Sequence, residues 1–155
     1  MATDIQAAEH PIKDIFCKKF VFSIPPYQRP YAWQEEQAQA LLGDFLGYLE
    51  KDTSSVDDIN PYFLGSIVLI KTKDAAEADV VDGQQRLTTL TILLSVLREL
   101  VPEEYGEAFT SYLYDKANPL EGNENSYRLT LRDRDAQFFR EYVQDKGGLH
   151  KLLDL

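Results

Sequence analysis

Five consecutive residues combine the side chains and the backbone freedom that a phosphate-binding turn needs. They read Asp-Gly-Gln-Gln-Arg from Asp82 to Arg86, between a β-branched run and a helical pattern. At such a junction the first backbone N–H groups of the helix lack partners, and the positive end of the helix dipole lies behind them. Gly83 lets the backbone approach a ligand closely, and the guanidinium of Arg86 matches two phosphate oxygens. This turn is therefore predicted to bind an anion.

The remaining side chains of the turn extend that chemistry. Gln84 and Gln85 can donate hydrogen bonds to phosphate, ribose or base without adding charge. Asp82 can hold a magnesium ion that bridges phosphates, or it can simply cap the helix. Under this second interpretation Asp82 is only an N-cap and Gly83 is only a tight turn, as at the start of many helices.

A second segment, residues 24–33, has the composition of a recognition loop. Three prolines stiffen it, and it carries Gln28, Arg29 and the aromatic residues Tyr27, Tyr31 and Trp33. Arg29 can clamp a phosphate, and an aromatic ring can stack on a base. Alternatively, Tyr31 and Trp33 are buried anchors of the helix that follows. With the turn, this segment predicts a site that contains two Gln-Arg pairs.

Apolar periodicity predicts the elements that hold these two segments. An apolar residue at every third or fourth position favours a helix, and alternation or a β-branched run favours a strand. The predicted elements are a strand at 19–24, a helix from Gln34 to Glu50, a buried strand from Tyr62 to Ile70, an antiparallel return strand from Ala78 to Asp82, a helix from Gly83 to about Leu100, a helix from Glu103 to Lys116, a strand from Ser126 to Leu131, and a helix from Asp133 to Gln144 that Asp133 caps. A small sheet with several helices is an α+β fold.

The overall charge limits the kinds of partner that the chain can bind. Its 155 residues suit one domain, and 26 acidic against 16 basic residues give a formal charge of −10. The average surface therefore repels a phosphate backbone, which disfavours sequence-independent coating of DNA. A local basic pocket can still hold a small polyphosphate, because the nearest groups dominate the field of a site.

Cysteine, histidine and hydropathy exclude other classes of site. The single cysteine, Cys17, allows no intramolecular disulfide and no Cys-based zinc cluster. His10 and His150 are far apart in the sequence, which predicts no nuclease metal centre. No apolar run approaches the roughly 20 residues that cross a bilayer, and the N-terminus lacks a signal-peptide pattern. We therefore predict a cytoplasmic protein with no membrane partner.

Much of the remaining basic charge lies in the C-terminal third. It can contact DNA or a partner domain, or it can form a network with neighbouring carboxylates, which is the interpretation we favour. The arginines are Arg128, Arg132, Arg134 and Arg140, and the carboxylates are Asp133, Asp135 and Glu141.

Three ordered motifs closely resemble the N-terminal domain of GmrSD-type modification-dependent restriction proteins. Residues 24–33 fill Ile-Pro-x-Tyr-Gln-Arg-x-Tyr-x-Trp, residues 63–67 read Phe-Leu-Gly-Ser-Ile, and residues 82–88 read Asp-Gly-Gln-Gln-Arg-Leu-Thr. The resemblance covers roughly Ile12 to Leu97. It implies a fold similar to ParB and sulfiredoxin, in which the third motif binds a nucleotide and is linked to NTP hydrolysis.

The resemblance also implies roles for individual residues. It places nucleotide binding in the first and third motifs, catalysis in the third, and a magnesium ligand at the carboxylate of the third. The nucleotide-binding residues are Tyr27, Gln28, Arg29, Gly83 and Arg86, the catalytic residues are Asp82, Gln84 and Gln85, and Asp82 is also the metal ligand. The implied cofactors are an NTP and Mg²⁺.

The same resemblance implies the setting in which the site works. A separate C-terminal or partner HNH-type nuclease domain is expected to cut, and the full-length protein is expected to act on modified DNA. We expect residues 1–100 to form a ParB-like nucleotide-binding core and residues 101–155 to begin a helical extension that the chain truncates. The predicted function is an NTP-binding, and in one version NTP-hydrolysing, regulatory domain of a phage-defence restriction protein. The alternatives are a non-catalytic module that recognises modified bases and a ParB-like kinase.

Overall fold

The computed structural model describes residues 5–50 and 62–155, with the side chains of residues 48–50 outside that description. These residues form helices around a small mixed sheet, which confirms the α+β class. The elements are α1 (Ile12–Ile15), β1 (Val21–Ser23), α2 (Glu35–Glu50), β2 (Val68–Lys71), β3 (Glu77–Asp82), α3 (Gln84–Leu100), α4 (Glu103–Leu113), β4 (Tyr114–Asp115), β5 (Ser126–Tyr127), β6 (Leu129–Thr130), α5 (Asp133–Phe139), a π-helical turn (Arg140–Gln144) and α6 (Gly148–Leu153).

The main sheet has its strands in the order β2-β3-β1-β6. Strand β1 runs parallel to both β3 and β6, and β2 is antiparallel to β3. Phe22 of β1 and Val80 of β3 are fully buried and share one core cluster with Leu87 and Leu90 of α3. Because β1 and β3 are parallel, both strands end at the same edge of the sheet. The proline-rich loop after β1 and the helix after β3 therefore start side by side.

The segment from Tyr62 to Ile70 corrects one prediction. It was expected to be a buried strand, but the strand is only Val68–Lys71, and Ile70 is 64% exposed. Strand β2 lies at the edge of the sheet, and Gly65 interrupts the extended backbone with φ 112°. An apolar run alone does not show whether a strand has neighbours on both sides, which explains the error. The predicted antiparallel return strand is confirmed as β3.

The predicted strand from Ser126 to Leu131 is also divided. Strand β5 pairs with β4 in a separate two-stranded sheet, whereas β6 joins the main sheet beside β1. Between them, Arg128 donates to both carboxylate oxygens of Asp115, at 2.8 and 2.7 Å. The strand β6 thus comes from the part of the chain that was expected to begin a helical extension.

The predicted cap of the next helix is wrong. The N-cap of α5 is Arg132, without a side-chain capping bond, and Asp133 is the first helical residue. In that place the charge of Asp133 suits the positive end of the helix dipole without capping it. The helix then continues as the π-helical turn to Gln144.

A buried arginine holds this C-terminal helix against α3. Arg98 is 5% exposed and donates to the carbonyls of Val143, Gln144 and Asp145, at 3.2, 2.8 and 3.1 Å. The side chain of Gln144 donates in turn to the carbonyl of Leu129, at 2.8 Å. The last carbonyls of a helix lack intrahelical partners, and a guanidinium satisfies several of them at once. Arg98 therefore acts as the C-terminal cap of the α5 and π-helical segment.

Candidate functional site

A cleft of about 490 Å³ lies at the sheet edge where β1 and β3 end. Its size is within the range of small-molecule sites. The lining residues are Gln28, Arg29, Trp33, Val81, Asp82, Gly83, Gln84, Gln85 and Arg86. The structure thus brings together every predicted site residue except Tyr27, which is 75% exposed and does not line the cleft.

The N-terminus of α3 opens into this cleft. Gly83 is the N-cap with φ 100°, no side chain caps the helix, and the first helical bond runs from the Leu87 N–H to the Gly83 carbonyl at 3.0 Å. The interpretation of Asp82 as the helix cap is therefore wrong. The amides of the first turn have no helical partners, and the positive end of the dipole of this 17-residue helix faces the cleft.

Two glycines make this corner possible. A Cβ on Gly83 would lie 2.5 Å from Cγ2 of Ile67, and a Cβ on Gly65 would lie 2.5 Å from Cζ of Arg86. Both glycines have positive φ, which other residues adopt only with strain. The Phe-Leu-Gly-Ser-Ile motif thus supports the turn from behind, a role that sequence reasoning did not assign to it. The isolated glycine in a strand-like run was the available signal, because it indicates close approach of another group.

The two arginines of the cleft keep most of their donors unused. Arg86 is half-buried against Gly65 and makes one hydrogen bond, from Nη1 to the carbonyl of Ser66 at 3.3 Å. Arg29 is exposed and has no hydrogen-bond or ion-pair partner within residues 5–50 and 62–155. In that part of the chain no carboxylate neutralises either guanidinium.

Two further side chains of the turn have no partner among the residues that the structure describes. Gln84 is only 8% exposed, yet its amide makes no hydrogen bond there, and it lines the cleft. Its amide atoms are not among the buried unpaired atoms of the described residues, so they reach the solvent of the cleft and are open to a ligand. Asp82 is exposed in the same cleft, and its carboxylate is likewise free of partners within the described ranges.

Gln85 was predicted to be catalytic. Both polar atoms of its side-chain amide bind the backbone of the proline-rich loop. Its Oε1 accepts from the backbone N–H of Ala32 at 2.6 Å, and its Nε2 donates to the carbonyl of Pro30 at 3.1 Å. One turn further along α3, the hydroxyls of Tyr31 and Thr89 are 2.8 Å apart. Sequence reasoning missed this clamp, because it joins residues more than 50 positions apart in the chain.

The other side of the loop is held by Gln28 and Arg132. The Nε2 of Gln28 donates to the carbonyl of Val81 at 3.2 Å, and Nη1 of Arg132 donates to the carbonyl of Gln28 at 3.2 Å. The expected pairing of Arg132 with a neighbouring carboxylate is also present, since its Nη2 lies 3.0 Å from Oδ2 of Asp135. No sequence signal indicated the contact with the loop.

The donor set of the cleft fits a magnesium ion only together with phosphate. In the described part of the chain, no three His, Cys, Asp or Glu residues are grouped so as to hold a metal ion. Mg²⁺ is commonly held by one or two carboxylates plus substrate phosphates and water, and the free carboxylate of Asp82 matches that arrangement.

Comparison with known proteins identifies the family. A family model for the GmrSD restriction endonuclease, N-terminal domain, matches residues 12–154 and thus extends well beyond Leu97, where the motif resemblance ended. No curated protein matches the chain. Among the described residues, no helix is long and apolar enough to span a bilayer. With a match over nearly its whole length, this chain belongs to the GmrSD restriction endonuclease N-terminal domain family.

Proposed function

We propose that the cleft binds the phosphates of a nucleoside triphosphate together with Mg²⁺, and that the bound nucleotide regulates the restriction activity of the full-length protein against modified DNA. One observation carries the proposal. Two guanidiniums without carboxylate partners and the unpaired side-chain amide of Gln84 meet the free N-terminal amides of α3 in one cleft. Such a set of donors without acceptors suits a ligand that is rich in acceptors, as a polyphosphate is.

Each group has a distinct task in this proposal. The first-turn amides of α3 and Arg86 hold phosphate oxygens, and Arg29 reaches the chain of phosphates from the loop after β1. Gln84 donates to a phosphate oxygen or orients an attacking water, which links binding to hydrolysis. Trp33, half-buried in the lining, offers a ring for the base. Gln85 positions the loop and is not assigned a catalytic step.

Asp82 accounts for the metal requirement of the proposal. A free carboxylate beside a triphosphate is repulsive unless a cation lies between them. Asp82 would be the residue that holds Mg²⁺, which would neutralise phosphate charge when bound with the nucleotide. Asp82→Asn is therefore expected to weaken nucleotide binding about tenfold with Mg²⁺ present, and to leave it unchanged or slightly tighter with EDTA. Calorimetric titration under both conditions measures the difference, and equal losses in both would remove the metal role.

The binding itself is tested by titrating ATP, GTP, CTP and UTP against the wild-type chain and two variants. Trp33 is the single tryptophan and lines the cleft, so its emission reports occupancy. Arg86→Ala is expected to weaken binding by about tenfold or more, because it removes charge-assisted hydrogen bonds to phosphate. Arg134→Ala is the matched control, since it removes the same charge from an exposed site outside the cleft. Equal weak binding by wild type and Arg86→Ala contradicts the proposal.

The competing function, recognition of a modified base without nucleotide chemistry, predicts a different pattern. The same emission would then respond to oligonucleotides that carry a modified base and not to plain ones, and triphosphates would not compete. Nucleotide regulation predicts competition among triphosphates and no dependence on base modification.

A further inference from the structure

The loop that carries Arg29 is held from two sides by very different parts of the chain. From α3, Gln85 binds the backbone at Pro30 and Ala32. From the start of α5, Arg132 binds the backbone carbonyl of Gln28, a contact between residues 104 positions apart. Arg29 lies between these two attachments and has no contact of its own to fix it among the described residues.

The geometry of Arg132 favours a role in holding that loop. Its Nε and Nη2 both donate to Oδ2 of Asp135, at 3.1 and 3.0 Å, which fixes the plane of the guanidinium. The remaining edge then directs Nη1 to the carbonyl of Gln28 at 3.2 Å. The side chain of Arg132 is 20% exposed, and that of Asp135 is 41% exposed. A guanidinium held in this way restrains the loop with little loss of side-chain entropy on ligand binding.

The same arginine is close to the site itself. Arg29, Gln84, Gln85, Arg132 and Asp135 all line one small cavity between the loop, α3 and α5. Arg132 does not line the larger cleft, so it has no direct access to a ligand there. Apart from the long-range attraction of its charge, it can affect binding only through the loop.

We propose that Arg132 is a positioning residue for the nucleotide cleft, which places Arg29 against the phosphates by fixing the carbonyl of Gln28. The inference rests on the proposed function. It assigns to the C-terminal segment an indirect share in nucleotide affinity, exerted through the loop after β1.

The test combines a ligand-free measurement with a binding cycle. In the ligand-free protein, Arg132→Ala is expected to raise the quenching of Trp33 emission by acrylamide, because the loop loses one attachment. Arg132→Lys, which keeps a donor for the Gln28 carbonyl, is expected to restore part of the protection. Arg134→Ala, on the same helix and exposed, is the control and is expected to match wild type.

The binding cycle compares Arg29→Ala, Arg132→Ala and the double variant with ATP and Mg²⁺. Arg132→Ala is expected to weaken binding about tenfold in the wild-type background and less than about twofold when Arg29 is absent, since both act through one contact. Equal losses in both backgrounds, or quenching and affinity like those of Arg134→Ala, would overturn the inference. If wild type binds no nucleotide, the proposed function fails, and the quenching series alone decides whether Arg132 positions the loop.

Discussion

Two arginine sites in this chain use the same side chain in opposite ways. At the end of α3, Arg98 is buried and donates to three backbone carbonyls. At the start of the same helix, Arg86 donates to one carbonyl, and Arg29 beside it has no acceptor within the described residues. A guanidinium has five N–H donors, so the first site is largely satisfied by protein and the second is not. Under the proposed function, the number of donors left unused, more than the residue type, distinguishes a binding arginine from a structural one.

Burial adds an electrostatic difference between the two sites. Desolvation lowers the pKa of Arg98, although the charges of Tyr114, Glu99 and Asp145 act in the other direction. Arginine nevertheless remains charged at any physiological pH. Its Nε lacks a hydrogen bond and lies 3.7 Å from Oε1 of Glu99. The buried charge of Arg98 is stabilised by the carbonyls that accept its hydrogen bonds. Without Arg98, those carbonyls would lack this donor.

Removal of the Arg98 side chain is expected to give the largest loss in the free energy of unfolding. Arg98→Ala leaves three carbonyls without this donor, two of them in buried hydrogen bonds, and should lower the free energy of unfolding by about 3 kcal/mol. Urea unfolding followed by circular dichroism measures this loss. Arg29→Ala provides the contrast, with a change within about 0.5 kcal/mol, because it removes no protein contact. Similar losses for the two variants would break the distinction between a structural and a binding arginine.

A smaller loss of stability is expected from substitution of Gly65. At this position the effect on ATP binding can be separated from the effect on stability. Gly65→Ala strains a backbone with φ 112° and drives the new Cβ into the guanidinium of Arg86, whose flexible end must move. Gly122→Ala is the matched control, because it has φ 67° and open space around the added Cβ. Gly122→Ala should lose about 1 kcal/mol of stability from strain, and Gly65→Ala should lose more, because φ 112° lies outside the left-handed region that other residues adopt. Only Gly65→Ala should weaken ATP binding, by about tenfold. Equal ATP affinity in the two variants would mean that the position of Arg86 does not matter.

The last effect is confined to alkaline pH and concerns the surroundings of Arg98. Burial, and then the hydrogen bond to Asp145, raise the pKa of Tyr127 from 10.0 to about 12. Asp145 also offers its carbonyl to Arg98, so the phenol belongs to the same buried network. Because the folded-state pKa is the higher one, the contribution is complete below pH 10 and is lost as the pH rises towards 12.

Tyr127→Phe tests this dependence. The variant should lose less stability than wild type between pH 10 and 12, since it has no phenol to ionise. Urea unfolding at a series of pH values gives the two curves. Parallel curves through this window would show that the phenol is not held protonated by the fold.

Much of the site was predictable because its chemistry is local. Asp82 to Arg86 form a strand-to-helix turn whose first amides are free by the geometry of any helix, and Gly83 indicates the positive φ that the turn requires. The extent of β2 and the contact of Arg132 with the loop after β1 were not predictable in this way. Each depends on contacts between residues far apart in the chain, which periodicity and residue type do not report.

Gln84 and Gln85 illustrate the difference between what local sequence indicates and what long-range contacts determine. From the sequence they are identical neighbours in one motif, and both were expected to serve the ligand. Successive residues of a helix point about 100° apart, so one amide faces the cleft and the other reaches the loop after β1. The sequence by itself determined the turn, the helix and the charged groups near its start. The parallel pairing of β1 with β3 decided which amide stays free, because it brings that loop against one side of the helix.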